Sequence, residues 1–265
     1  MANDIAKFDI IDNVGNAFQR TWEERAYLAR LALVPIVIKM LCYYAAFLYV
    51  EPQDILRLSL FMLPAYFAEG WMMAHWARTI MTDHRWPFVP SGNLSQDRKE
   101  IDVRSKGIIS GAVAFTAVNF FMAGFFAAVF SVMPPDLNPE NADPALGTFA
   151  LLVIFTMFFL FRFTWLYIPM SVGISFKKYV ISTNRILFTF RLIALWLVCF
   201  IPPIILMQIV GGLMVGAEGE AELTTAMEVV LAGVRVVFDT LKNILVTAGI
   251  AYALMEVFQW KKKSS

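Results

Sequence analysis

Only two cysteines and two histidines occur among the 265 residues. Cys42 and Cys199 both lie in apolar runs. They supply neither a disulfide framework nor a metal-ligand spacing, and they read as small hydrophobes in packed helices. His75 and His84 are nine apart, without the His-Glu-x-x-His spacing of a zinc helix. No Gly-x-Ser-x-Gly nucleophile turn and no phosphate-cradling glycine loop is present. No catalytic residue, metal ligand or cofactor is assigned, and the chain is expected not to be an enzyme. Charge is scarce too: 16% of residues are Asp, Glu, Lys or Arg, against roughly 25% in an ordinary soluble domain. No basic surface interleaved with aromatics points to nucleic acid.

What the chain has in abundance is apolar length. Hydrophobic residues make up 59% of it, and the mean hydropathy is +0.63. A hydrocarbon layer of about 30 Å takes about 20 helical residues to cross. Six runs meet that length, at 27–49, 56–80, 107–133, 147–175, 192–216 and 236–258. Lipid offers no hydrogen bonds to a free backbone, so such runs must be helices. The expected fold is all-α: a six-helix transmembrane domain over 27–258, in a bacterial cytoplasmic (inner) membrane. The charged N-terminal thirty residues lack the apolar core of a secretory signal.

The loops give a direction. Residues 81–106 carry Arg85, Arg98, Lys99, Arg104 and Lys106, and residues 177–191 carry Lys177, Lys178, Arg185 and Arg191. The N-terminal segment holds Lys7, Arg20, Arg25 and Arg30, and the tail 259–265 adds three lysines. The alternate loops "VEPQD", "PPDLNPENADPAL" and "GAEGEAELTTAMEVVLAGV" hold no Lys or Arg. Positive charge marks the cytoplasmic side, so both termini are expected there. Segment 81–106 also mixes signs and carries two prolines, Trp86 and Phe88. It reads as a solvated loop, with docking of a cytoplasmic partner, or its aromatics laid at the headgroups, as the alternatives.

Two basic segments show an apolar stripe at helical spacing: Ile5, Phe8, Ile11, Val14, Phe18 and Trp22 within 1–26, and Phe176, Val180, Thr183, Leu187 and Phe190 in the second. Both read as amphipathic helices lying at the membrane interface, with packing on the protein's own cytoplasmic face as the alternative. At an offset of 168, Phe8 matches Phe176, Asn16 matches Asn184 and Pro35 matches Pro203. That alignment raises the expectation of a parallel internal repeat. Small-residue spacings at Gly107–Gly111, Ala123–Ala127 and Gly212–Gly216 offer close helix approach.

Two stretches carry a resemblance. One is "FDIIDNVGNAFQRTW" leading into "LARLALVPIVI". The other is "RFTWLYIPMSVGISFKKYVISTNRILFTFRLIALWLVCFIPPIIL". Together they resemble a loosely defined group of bacterial six-span inner-membrane proteins of mostly unassigned function. That group is related to the membrane domain fused to some glycerophosphodiester phosphodiesterases. The resemblance implies the topology. It implies no hydrolytic residue, because these 265 residues include no stretch read as a phosphodiesterase domain.

Ionisable groups at bilayer depth cost about 3 kcal/mol upward and usually face the bundle interior. Lys39, Glu69, Asn119 and Arg162 fall some 15–20 Å from the cytoplasmic ends of their runs, at 1.5 Å per residue. Matched depth leads to the expectation of one polar cluster in which Arg162 pairs with Glu69. Asp239, Lys242 and Asn243 form a secondary patch on the sixth run, with Asp239 and Lys242 on one helical face. The function expected is a non-catalytic scaffold or accessory of a membrane complex or of the envelope. The competing expectation is a small transporter or lipid-handling protein built on the polar cluster. The partners expected are the lipid bilayer, other membrane proteins and anionic lipid headgroups.

Overall fold

The computed structural model describes residues 8–51, 54–132, 144–216 and 225–258. The basic tail 259–265 and Ile5 lie outside the described residues. Those described are mostly helical, with no strand among them. In chain order the helices are α1 (Ile10–Glu23), α2 (Arg25–Tyr49), α3 (Ile55–Phe61), α4 (Leu63–Thr82) and α5 (Leu94–Val132). They continue with α6 (Pro144–Leu160), α7 (Tyr167–Ser171), α8 (Phe176–Ser182), α9 (Ile186–Gly216) and α10 (Thr225–Val257). A 3-10 turn, Phe161–Trp165, joins α6 to α7.

Four of these are long and apolar enough to cross a membrane: Arg25–Tyr49, Leu94–Ser131, Thr148–Ser171 and Ile186–Met214. They match the first, third, fourth and fifth apolar runs. The second run differs in kind. It divides at Met62 into α3 and α4, because Pro64 has no N–H to give the carbonyl of Leu60. The Met62 N–H takes up the carbonyls of Leu58 and Leu60 instead. Fourteen of the twenty residues of α4 are buried, so this helix is the centre of the bundle, with α2, α5, α7 and α10 around it.

The fourth run breaks as well. Pro169, about two turns after Arg162, has no N–H to give the carbonyl of Trp165, and the chain tightens to a 3-10 turn over Phe161–Trp165 just before it. The Tyr179 hydroxyl donates to the carbonyl of Arg162, so that acceptor is not lost. Gly173, at φ 84°, then turns the chain toward α8. The N–H of Ile174 closes that turn on the Pro169 carbonyl at 2.9 Å.

The segment 94–106 is helix rather than loop. Asn93 accepts from the N–H groups of Ser95 (3.2 Å) and Gln96 (3.4 Å) and so caps α5. Glu100–Arg104 and Asp102–Lys106 brace its first turns at i,i+4 spacing. The 39 residues of α5 run roughly 58 Å at 1.5 Å each, well beyond a hydrocarbon layer.

Helix α1 packs on α10 and α9. It buries Val14, Ala17 and Thr21, and Asn13 Nδ2 donates to Glu256 Oε1 at 2.8 Å. Ile11 and Trp22 point away from that contact and are exposed, so α1 is a docked helix with an apolar outer edge. The second amphipathic segment is interrupted at Thr183–Arg185, and its far half begins α9. The repeat alignment holds at Pro35 and Pro203, both inside helices. It fails at asparagine: Asn16 lies within α1, whereas Asn184 lies in the break.

Candidate functional site

Helices α2, α4 and α10 each bring polar side chains to one buried point. Lys39 of α2 donates to Glu69 Oε2 of α4 at 2.8 Å and to Asp239 Oδ2 of α10 at 2.5 Å. Asn243, one turn beyond Asp239, donates to Glu69 Oε1 at 2.8 Å. Lys242 pairs with the other oxygen of Asp239 and lies over the Phe200 ring, 5.5 Å from its centroid. The side chains of Lys39 and Glu69 are each only 4% exposed. Two ammonium groups face two carboxylates, so the network sums to zero charge.

The network continues as hydrogen bonds along α10. Thr247 Oγ1 donates to the carbonyl of Asn243 at 2.6 Å. The same hydroxyl lies 2.6 Å from that of Tyr167. Trp76 Nε1 donates to the carbonyl of Ile244 at 3.0 Å. These bonds tie α4 and α7 to α10 over more than one turn, at polar groups that burial would otherwise leave costly.

The structure therefore joins Lys39, Glu69, Asp239, Lys242 and Asn243 in one network. The division of these residues into a central cluster and a secondary patch does not survive, because Lys39 bridges the two. Arg162 and Asn119 stay outside. The expected Arg162–Glu69 pair is absent: both Glu69 oxygens are taken, by Lys39 and Asn243. Arg162 stands instead over Phe159, 3.9 Å from its ring centroid, and beside Phe163 at 5.0 Å. It is 5% exposed, and its Nε has no hydrogen-bond partner among the described residues. A shared depth fixes a residue's height along a helix but not the face it occupies, and Arg162 occupies a different face. Asn119 Nδ2 donates to Phe115 O of its own helix at 2.9 Å, which satisfies it locally.

A second polar region lies at the other end of α4, and the sequence reading did not single it out. His75 and Arg78 of α4, His84 and Trp86 of the following loop, and Phe88 and Arg104 line a cavity of about 60 Å³. Arg78 Nη1 donates to the Ser171 carbonyl at 2.7 Å. Arg104 pairs with Glu100, whose Oε1 is also 3.5 Å from His84 Nε2. Burial, with Arg104 and Arg78 nearby, pulls the His84 imidazole below its ordinary range. Close packing sets the position of Arg78. A Cβ at Gly107 would lie 2.3 Å from the Ser171 carbonyl oxygen and 2.7 Å from Arg78 Nη1. At Gly111 it would lie 2.9 Å from the Ala74 Cβ. The Gly107–Gly111 spacing is thus a true close approach of α5 to α4 and α7. Gly212 has nothing within 4 Å.

The residues that would have marked this cavity in the sequence are Asn93, Glu100 and Arg104. Their capping and i,i+4 spacing extend α5 far enough to bring Arg104 to Arg78. Among the described residues no group of three or more His, Cys, Asp or Glu is placed to hold a metal. Comparison with family models, with curated proteins and with solved structures returned no match.

Proposed function

We propose that this chain is a non-catalytic protein of a bacterial inner membrane, crossing it six times with both termini cytoplasmic, and that it scaffolds or assists a membrane complex or the envelope. The observation that favours the scaffold over the transporter is the neutral network in which Lys39 and Glu69 are buried and Asp239 and Lys242 half-buried. A carrier works by exchanging a charge at its midplane site. Here every charge is already answered by a neighbour on another helix or one turn away, which suits a lock between α2, α4 and α10. The six-span topology rests on the charge asymmetry of the loops. It also rests on the lengths of the two further elements, α3–α4 from Ile55 to Thr82 and α10 with 33 residues.

Reporter fusions at Asp143 and at the C-terminus test the topology: the first reads periplasmic and the second cytoplasmic. Proteoliposomes test the lock. Under an imposed proton gradient the protein gives no flux above empty vesicles. A gradient-driven flux that Glu69→Gln abolishes would establish the transporter reading in its place.

A further inference from the structure

The cavity at the end of α4 holds a cation without a counter-ion. Arg78 is 6% exposed, and its one hydrogen bond among the described residues goes to a neutral carbonyl. Among the described residues no carboxylate lies within 4 Å of it. The charged groups that face it are Arg104 and Glu100, and Glu100 is already engaged by Arg104 and His84. Arg85, at the mouth, is matched by Glu24 at 2.5 Å. The cavity is therefore positive by one charge, with both histidines counted as neutral.

Its hydrogen-bonding capacity is unspent as well. His75 is 4% exposed and is enclosed by the rings of Trp71 and Trp86, with centroids at 4.5 and 5.5 Å. Neither of its ring nitrogens has a hydrogen-bond partner among the described residues. His84 Nδ1 and Arg104 Nε are buried and unpartnered. A buried guanidinium that lacks an acid is costly, and a buried guanidinium N–H and a ring nitrogen without partners add to that cost. His84, whose Nε2 faces Glu100, offers Nδ1 as a donor only as the imidazolium, the form that a seated oxyanion favours. An oxyanion seated in the cavity removes both costs at once. The cavity has a volume of about 60 Å³. A water needs only about 10–15 Å³ of such space, so the cavity admits a phosphate-sized group, with the rest of a larger ligand passing out beside Trp86 and Phe88.

We propose that this cavity binds the phosphate group of an anionic ligand, with Arg78 and Arg104 as its paired guanidinium donors and His75 and His84 completing the contacts. Planar guanidinium forks suit tetrahedral oxyanions. The phosphate comes either from an inner-leaflet phospholipid headgroup or from a soluble phosphate compound. The lipid source rests on the six-span reading, which sets this end of α4 on the cytoplasmic side. That reading puts Trp86 and Phe88, aromatic residues next to a span end, in the headgroup region. The soluble source does not depend on that reading.

The test uses the full chain in detergent and in nanodiscs. In phosphate-free buffer, inorganic phosphate raises the melting temperature saturably and broadens its own ³¹P resonance, whereas chloride at matched ionic strength does neither. In phosphatidylcholine nanodiscs, doping with phosphatidic acid has the same stabilising effect if the lipid is the source. A response to either probe supports the site; a response to phosphatidic acid assigns the lipid source, and a response to phosphate alone assigns the soluble one. Arg104→Gln weakens the response about tenfold or more, from the loss of charge-assisted hydrogen bonds. His84→Ala weakens it less. Lys106→Gln, an exposed lysine on the same helix paired with Asp102, leaves it unchanged. Arg78→Gln abolishes it; if that variant does not fold, Arg104→Gln and His84→Ala carry the test. The proposal is overturned if neither probe gives a saturable response, or if Lys106→Gln weakens it as much as Arg104→Gln. A reporter result against the six-span topology would remove the lipid source and leave the phosphate titration standing.

Discussion

Glu69 and Arg78 lie nine residues apart on α4, both almost fully buried, and the helix treats their charges in opposite ways. Around Glu69 the protein supplies everything the charge needs: Lys39 from α2, Asn243 and Asp239 from α10, and Lys242 to balance the second acid. Around Arg78 it supplies a neutral carbonyl, two imidazoles and a second guanidinium whose own partner is Glu100, which leaves one positive charge over. One end of the helix is self-contained, and the other is open to an anion from outside. Burial alone does not distinguish a structural charge from a binding one; the sum of charges around it does.

The comparison breaks most visibly at the balanced end. Glu69→Leu leaves two ammonium groups facing Asp239 alone, so one buried positive charge is uncompensated. The expected loss is about 3–5 kcal/mol, read as thermal unfolding in detergent. Lys39→Met leaves the opposite imbalance and a similar loss. The double variant Lys39→Met/Glu69→Leu leaves Asp239 and Lys242 paired with each other and the network neutral again. It should be more stable than the worse of the two single variants. Two losses that simply add would mean that Lys39 and Glu69 are not coupled, and the charge-balance account of this end would be wrong.

The open end depends on packing more than on charge. Gly107→Ala places a Cβ against the Ser171 carbonyl and the Arg78 guanidinium, at 2.3 and 2.7 Å from them. Either α5 moves off α7 or Arg78 leaves its carbonyl, at a cost of about 1–3 kcal/mol. Gly212→Ala meets no atom within 4 Å and gains helix propensity, on the order of 1 kcal/mol at most. The difference between the two melting temperatures measures how tightly the cavity wall is held. If both variants behave alike, Arg78 is not set by the α5 contact.

Much of the fold was legible in the sequence, and the reason is physical. A run of about 20 apolar residues has one stable form in lipid, so the helical class and the four apolar helices followed from length and composition. The elements that resisted are those that face other helices. Residues such as Glu69, His75 and Arg78 on α4, and Arg235, Asp239 and Lys242 on α10, lower the hydropathy of the helices that carry them. For α4 the cause is its position at the centre of the bundle. The site was legible in part. Lys39, Glu69, Asp239, Lys242 and Asn243 stood out as costly residues in apolar runs, but which of them meet depends on the azimuth of each helix. The sequence gives no azimuth between helices. The cavity at Arg78 was hidden by reading 94–106 as loop. The mixed charges there looked solvated, although Asn93 and the pairs Glu100–Arg104 and Asp102–Lys106 are the marks of a helix start.

The smallest effect sharpens the comparison by adding a third buried charge. Arg162, like Arg78, has no acid beside it among the described residues, yet it has two aromatic faces, Phe159 at 3.9 Å and Phe163 at 5.0 Å. A desolvated cation over an aromatic ring gains about 2 kcal/mol. Arg162→Met forfeits that gain but also removes an orphaned Nε and fills the space with an apolar chain. The bond from the Tyr179 hydroxyl goes to the Arg162 backbone carbonyl and survives the substitution. The two changes oppose each other, so the net loss should be about 1 kcal/mol or less. The decisive measurement is a double-mutant cycle with Glu69→Leu. Residues without shared partners add to within about 0.5 kcal/mol, and Arg162 shares none with Glu69. A coupling well above that value would place the two charges in one network. The distinction between a charge answered by an acid, a charge answered by aromatic rings and a charge left for a ligand would then fail at its middle case.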